Sequence, residues 1–167
     1  MCDAVPNAAF VIAGEGELTE RMRALATSLG ISDQVHFIGR CHTIAELLAI
    51  SNVGVLTSKA EGFSNAVLEY MAAGLPVVAT DVGGVREAVQ ENETGFIAPV
   101  GDDEALASRI VSLLRDEKAA FAMGERGQRL VTEKFSCEAQ LERTTQLYQR
   151  LVSHFEPAHS NILARNS

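Results

Sequence analysis

The sequence predicts an α/β fold, a doubly wound parallel sheet of about five strands with flanking helices. Three observations carry this prediction. Short β-branched runs alternate with longer stretches of helical periodicity. Each run is a nearly unbroken apolar block, which suits a parallel strand buried on both faces. Glycines repeatedly stand where a run or a helix must stop.

Phe10–Ala13 reads as the first strand and leads into Gly14-Glu15-Gly16. Glu17–Leu29 reads as a helix, with Leu18, Met22, Leu25 and Leu29 along one face and Gly30 closing it. Val35–Ile38 is a second strand, stopped by Gly39, and a helix over about Thr43–Ile50 turns Ile44, Leu47 and Leu48 inward. Val53–Leu56 is a third strand, followed by a helix from Ser64 to Ala73 that ends at Gly74-Leu75-Pro76. Val77–Thr80 is a fourth, followed by Gly83-Gly84 and a short helix near Val85–Gln90, and Gly95–Ala98 is a fifth. Asp102 and Asp103 precede a helix over Glu104–Leu114, where carboxylates favour the open amides and positive dipole end. Glu117–Glu133 reads as a helix or helix pair weakened in its middle by Gly124 and Gly127. Ser136 caps a last helix running to about Phe155. One domain over residues 1–155, with a polar tail over 156–167, is the expected organisation.

Composition narrows the function. The 167 residues carry 14 Lys+Arg against 22 Asp+Glu, a formal net charge of −8, so no general field draws nucleic acid or anionic lipid. No apolar run reaches the roughly 18 residues that span a bilayer, and Met1-Cys2-Asp3-Ala4 does not open a leader segment. A cytoplasmic protein is expected. Cys2, Cys41 and Cys137 form no metal-ligand or CxxC pattern and read as free thiols. His36, His42, His154 and His159 show no metal spacing. His36 reads as a strand residue and His42 as the start of a helix. Asn92-Glu93-Thr94 reads as a chance sequon.

Sheets of this kind bind ligands at the carboxyl ends of their strands. The loop after the third strand carries the chemistry: Thr57-Ser58-Lys59-Ala60-Glu61-Gly62-Phe63-Ser64-Asn65. An acid sits in it, a glycine lets backbone come close to a ligand, and Ser64 or Asn65 opens a helix whose first amides suit a diphosphate. Glu69 follows five residues after Ser64, roughly 7–8 Å along the axis. An acid at each end of a phosphate cradle suits a molecule with hydroxyls at both ends, as in sugar–diphosphate–ribose. Thr80-Asp81-Val82-Gly83-Gly84 repeats the pattern, with Asp81 read as a cap or turn residue.

The stretch EGFSNAVLEYMAAGLPVVATDVGGVREAV, Glu61 to Val89, resembles the signature of retaining glycosyltransferases of family 4 with the GT-B fold. That family carries two glutamates separated by seven residues, matched here by Glu61 and Glu69. FVIAGEGE, VHFIGR and ETGFIAPVGDDEALA extend the resemblance over about Pro6 to Leu151. It implies the Rossmann-like C-terminal, donor-binding half of such an enzyme. The substrate would be a nucleotide diphosphate sugar, UDP- or GDP-linked, with no cofactor and no metal. Glu61 would contact the donor sugar, amides around Gly62, Phe63, Ser64 and Asn65 would face sugar and diphosphate, and Glu69 would hold the ribose. Backbone near Gly39 and Arg40 would lie beside the base. The last helix would cross back to the other half.

The resemblance also implies partners outside this stretch: an N-terminal acceptor domain in cis or trans, through which peripheral membrane contact could arise, and a leading strand–helix unit. That unit usually supplies an Arg and a Lys for the diphosphate, and Lys59 and Arg40 are the nearby candidates to replace them. Without its strand, either a gap remains or two neighbours pair directly. Alternatives are a non-catalytic nucleotide-sugar module, one half of a split enzyme, and an epimerase of related fold. A dehydrogenase lacks its glycine fingerprint here.

Overall fold

The structure, a computed structural model, describes residues 1–154. The expected tail over 156–167 and the helix end at Phe155 lie outside the described residues. Five strands alternate with helices: β1 Phe10–Ala13, α1 Thr19–Ser28, β2 Val35–Gly39, α2 Ile44–Ala49, β3 Gly54–Leu56, α3 Asn65–Ala72, β4 Val77–Thr80, α4 Val85–Ala88 and β5 Gly95–Ala98. Three helices follow, α5 Asp103–Arg115, α6 Glu117–Lys134 and α7 Cys137–His154.

All strand pairs are parallel, but the strands form two sheets rather than one, β1-β2 and β3-β4-β5. The α/β class, the five parallel strands and the flanking helices are as expected; the sheet itself is divided in two. Of the two outcomes expected without a leading strand, β1 and β3 do not pair with each other.

The three-stranded sheet is covered on both faces. β4 is fully buried and splits its side chains by the twofold period of a strand. Val77 and Ala79 join Val67 and Met71 of α3 and Leu130 of α6, while Val78 joins Leu106 and Leu113 of α5 and Met123 of α6. Met71, Val77 and Val78 have no exposed surface, and burying each such side chain contributes about 1.5–3 kcal/mol.

The two-stranded sheet departs from expectation. Its strands alternate half-buried and exposed residues, and Val11 and Ile38 are 45% and 43% exposed. α1 covers only one face, through buried Ala26 and through Arg23, whose guanidinium lies 4.7 Å from the Phe37 ring centre. The apolar row of α1 does lie on one helix face, yet Leu18, Met22, Leu25 and Leu29 are all exposed. Periodicity identified the helix correctly but not what covers it.

α6 is one continuous helix, and its glycines are contact points. Gly124 is buried so close to the turn after α3 that a Cβ there would sit 1.9 Å from the Gly74 carbonyl oxygen. Gln128 Nε2 donates to the Ala72 carbonyl at 2.9 Å, at the C-terminal end of α3. α6 therefore splints the helix that begins at the candidate site. The aspartate expected ahead of α5 caps it: Asp102 Oδ1 accepts from the Ala105 amide at 2.9 Å. Ser136 Oγ accepts from Ala139 at 3.2 Å ahead of α7, as expected. Thr94 of the sequon is buried, with its hydroxyl accepting from the Gln90 amide. The three cysteines are free thiols. His36 lies exposed on β2, and His42 stands two residues before α2.

Candidate functional site

Two loop regions carry the expected site residues. The first links β3 to α3 and runs from Thr57 to Ser64. β3 pairs with β4 through Leu56 and Ala79, after which the ladder ends. Thr80, 2% exposed, then bridges the strands with its side chain, donating from Oγ1 to the Ser58 carbonyl at 2.6 Å. Ser58 Oγ donates to Glu61 Oε1 at 2.7 Å.

The turn after β4 supports the same loop from the other side. The Gly84 amide donates to the Gly62 carbonyl at 2.7 Å. Gly83, at φ 47°, lies so close that a Cβ would be 2.1 Å from the Glu61 carbonyl oxygen. A Cβ on Gly84 would meet the Phe63 ring at 2.5 Å. Phe63 also packs on Phe135, with ring centres 5.8 Å apart. The Gly83-Gly84 pair thus earns its place by close approach to Glu61, Gly62 and Phe63, not to a ligand alone.

Ser64 is the N-cap of α3 and is buried, but it makes no side-chain bond to the helix amides. The amides that open α3 therefore carry no bond from the Ser64 side chain, which leaves them open to an anion. Asn65 begins the helix and Glu69 lies in its second turn, both exposed. Beside Glu69, Tyr70 packs across Gly54, and burial, then the Glu69 charge, raises its phenol pKa.

The second region joins the ends of β1 and β2. The Gly14 amide donates to the Gly39 carbonyl at 2.7 Å. Arg40, Glu15, Gly14, Cys41 and Ile44 line a cleft of about 400 Å³ there. Neither Glu61 nor Glu69 lines that cleft. Lys59 and Arg40 are exposed and make no ion pair among the described residues. Among those residues, no group of three or more His, Cys, Asp or Glu is placed to hold a metal ion.

Asp81 sits in the turn between β4 and α4, as expected, and does not cap α4. It forms a bidentate pair with Arg86, two hydrogen bonds of 2.7 Å each. Those bonds lower its pKa, against a small loss of hydration and with help from the Arg86 charge. A lowered carboxylate pKa means stability present above the unfolded value of about 3.9 and lost as pH falls through the folded one. Asp81→Asn should therefore lower the melting temperature at pH 7, and the gap to the parent should narrow as pH falls from 7 to 3. A gap of equal size at both values would show that the pair stabilises by packing instead.

Residues 2–130 match the sequence profile described as "Glycosyl transferases group 1". The chain belongs to this family. It is 34% identical over 157 residues to N-acetyl-alpha-D-glucosaminyl L-malate synthase of Bacillus anthracis, covering 94% of this chain and 38% of that protein. Among solved structures, sucrose-phosphate synthase from Thermosynechococcus elongatus is 31% identical with a TM-score of 0.80, covering 92% of this chain and 41% of that one. Anabaena Alr3699/HepE in complex with UDP is 25% identical with a TM-score of 0.78, covering 90% and 43%. This group 1 glycosyltransferase chain thus spans about two fifths of the length of each of these three proteins. No helix among its described residues is long and apolar enough to cross a membrane.

The sequence reading missed Ser58, Thr80 and Phe135 as supports of the site. Ser58, three residues before Glu61 in the same loop, was the one with a local signal. Thr80 and Phe135 reach the loop from 19 and 74 residues beyond Glu61 in the chain, a proximity that only folding creates.

Proposed function

We propose that this chain is the donor-binding half of a retaining glycosyltransferase, which moves a sugar from a nucleotide diphosphate sugar to an acceptor hydroxyl in polysaccharide or glycolipid assembly. The observation that carries the proposal is the Glu61–Asn65 loop, held by the Gly83-Gly84 turn and by Phe135 at the uncapped start of α3. Family membership and the UDP-bound relative support the same reading.

In this reading Glu61 accepts hydrogen bonds from the donor sugar, and the amides from Gly62 to Asn65 face sugar and diphosphate. Glu69 holds the ribose hydroxyls, and Gly39 and Arg40 lie beside the base. Amides and the exposed cations Lys59 and Arg40 stabilise the leaving diphosphate, so that the reaction needs no metal. The enzyme works in the cytoplasm. The acceptor is bound by a second half, in cis or trans, because transfer needs both substrates oriented in a water-excluding cleft. The share of its relatives that this chain spans agrees with that division.

Calorimetry on this chain tests the proposal. Measured against UDP, UDP-glucose, GDP and GDP-mannose, at least one nucleotide pair should bind with a dissociation constant of about 10 μM to 1 mM, with no transfer or hydrolysis. Absence of binding to all four would remove the donor site. Transfer by the chain alone would remove the need for a second half.

A further inference from the structure

We propose that Ser58 is a positioning residue for Glu61, holding one carboxylate oxygen so that the other is presented to the sugar of the bound donor. The inference rests on the donor-site reading above.

Glu61 is exposed on a loop, where a glutamate ordinarily samples many rotamers. Here the Ser58 hydroxyl donates to Glu61 Oε1 at 2.7 Å, the length of a charge-assisted bond. The bond has direction because Ser58 is itself held: its carbonyl accepts from the buried Thr80 hydroxyl at 2.6 Å. Thr80 is the last residue of β4, paired with Ala98 on the far side. Rigidity therefore passes from the central strand through Thr80 and Ser58 to the carboxylate. The Glu61 backbone is fixed separately, by its close approach to Gly83 and by the bond from Gly84 to Gly62. Among the described residues Glu61 Oε2 has no hydrogen-bond partner, so it is the oxygen left for a ligand hydroxyl.

Ser58→Ala removes the hydroxyl but keeps the carbonyl that Thr80 holds, so the strand junction survives. The test compares UDP with UDP-glucose, and GDP with GDP-mannose, by calorimetry on the full chain. Ser58→Ala should weaken the sugar-bearing member of the bound pair about fivefold to tenfold, and the bare diphosphate by less than about twofold. Ser58→Thr, which retains a hydroxyl, should restore the parent affinity. In a Glu61→Ala background, Ser58→Ala should have no further effect.

Equal weakening of both members of a pair would show a merely structural role and overturn the inference. A full Ser58→Ala effect without Glu61 would overturn it too, since the hydroxyl would then be acting on something else. If Glu61→Ala weakened neither member, the donor-site reading would fail at Glu61 and this inference with it.

Discussion

Glu61→Ala, placed in a full-length protein carrying this segment, is expected to reduce sugar transfer by roughly 10²- to 10³-fold. That factor corresponds to about 2.7–4 kcal/mol of lost transition-state stabilisation. The carboxylate is a fixed charge whose geometry is set before the donor arrives, by Ser58 at Oε1 and by the glycine turn beneath its backbone. Preorganised groups of this kind cost no rearrangement when charge develops at the reacting sugar. The loss should appear mainly in kcat, while nucleoside diphosphate affinity changes little, because the diphosphate is proposed to be gripped by amides and cations. Stability should hardly move, since the Glu61 side chain is exposed and bonds only to the Ser58 hydroxyl among the described residues. Transfer at the parent rate would show that Glu61 is not part of the chemistry.

Gly124→Ala should destabilise the chain, although helix propensity alone predicts the reverse. In a helix interior, alanine is favoured over glycine by about 0.8–1 kcal/mol. At this position the new methyl would stand 1.9 Å from the Gly74 carbonyl oxygen and 3.3 Å from the Pro76 nitrogen. Both are backbone atoms, in the turn that carries the chain from α3 into the buried strand β4, so neither moves cheaply. Overpacking of this kind typically costs about 1–3 kcal/mol, occasionally more. A 1.9 Å approach to fixed backbone puts the cost at the upper end of that range, so the clash should win, with a net loss of up to about 2 kcal/mol. Urea denaturation should show a lower midpoint with an unchanged slope. Gly127→Ala supplies the contrast within the same helix. Its methyl would meet Met71 at an ordinary 3.6 Å, so the propensity gain should survive and raise the midpoint. Stabilisation by both substitutions would mean that α6 does not lie against the Gly74 turn.

These two glycines show where the sequence alone stops. Their presence in a helical stretch is legible, and propensity assigns them a cost. That cost is offset by contacts with residues about fifty positions earlier in the chain, which no local pattern contains. The same limit explains α1. The spacing of Leu18, Met22, Leu25 and Leu29 specifies an apolar face correctly, but burial depends on what lies opposite, and here that face is exposed. Asp81 is a further case: its character as a salt-bridge partner of Arg86 follows from how the turn into α4 folds back.

Hydrophobic runs, periodicity and caps determined the order and type of the elements. β1, β4 and β5 fall on the expected residues, and Asp102 and Ser136 cap as expected, because these signals act over a few neighbouring residues. The stretch from Glu61 to Val89 likewise carries a resemblance to the family whose profile residues 2–130 match. Only the tertiary structure decided that five parallel strands form two sheets, that Thr80 anchors the Glu61 loop at the Ser58 carbonyl, and that Phe135 packs against Phe63. Each of those depends on groups far apart in sequence, brought together by the burial of the β4 core and of the α3–α6 contact.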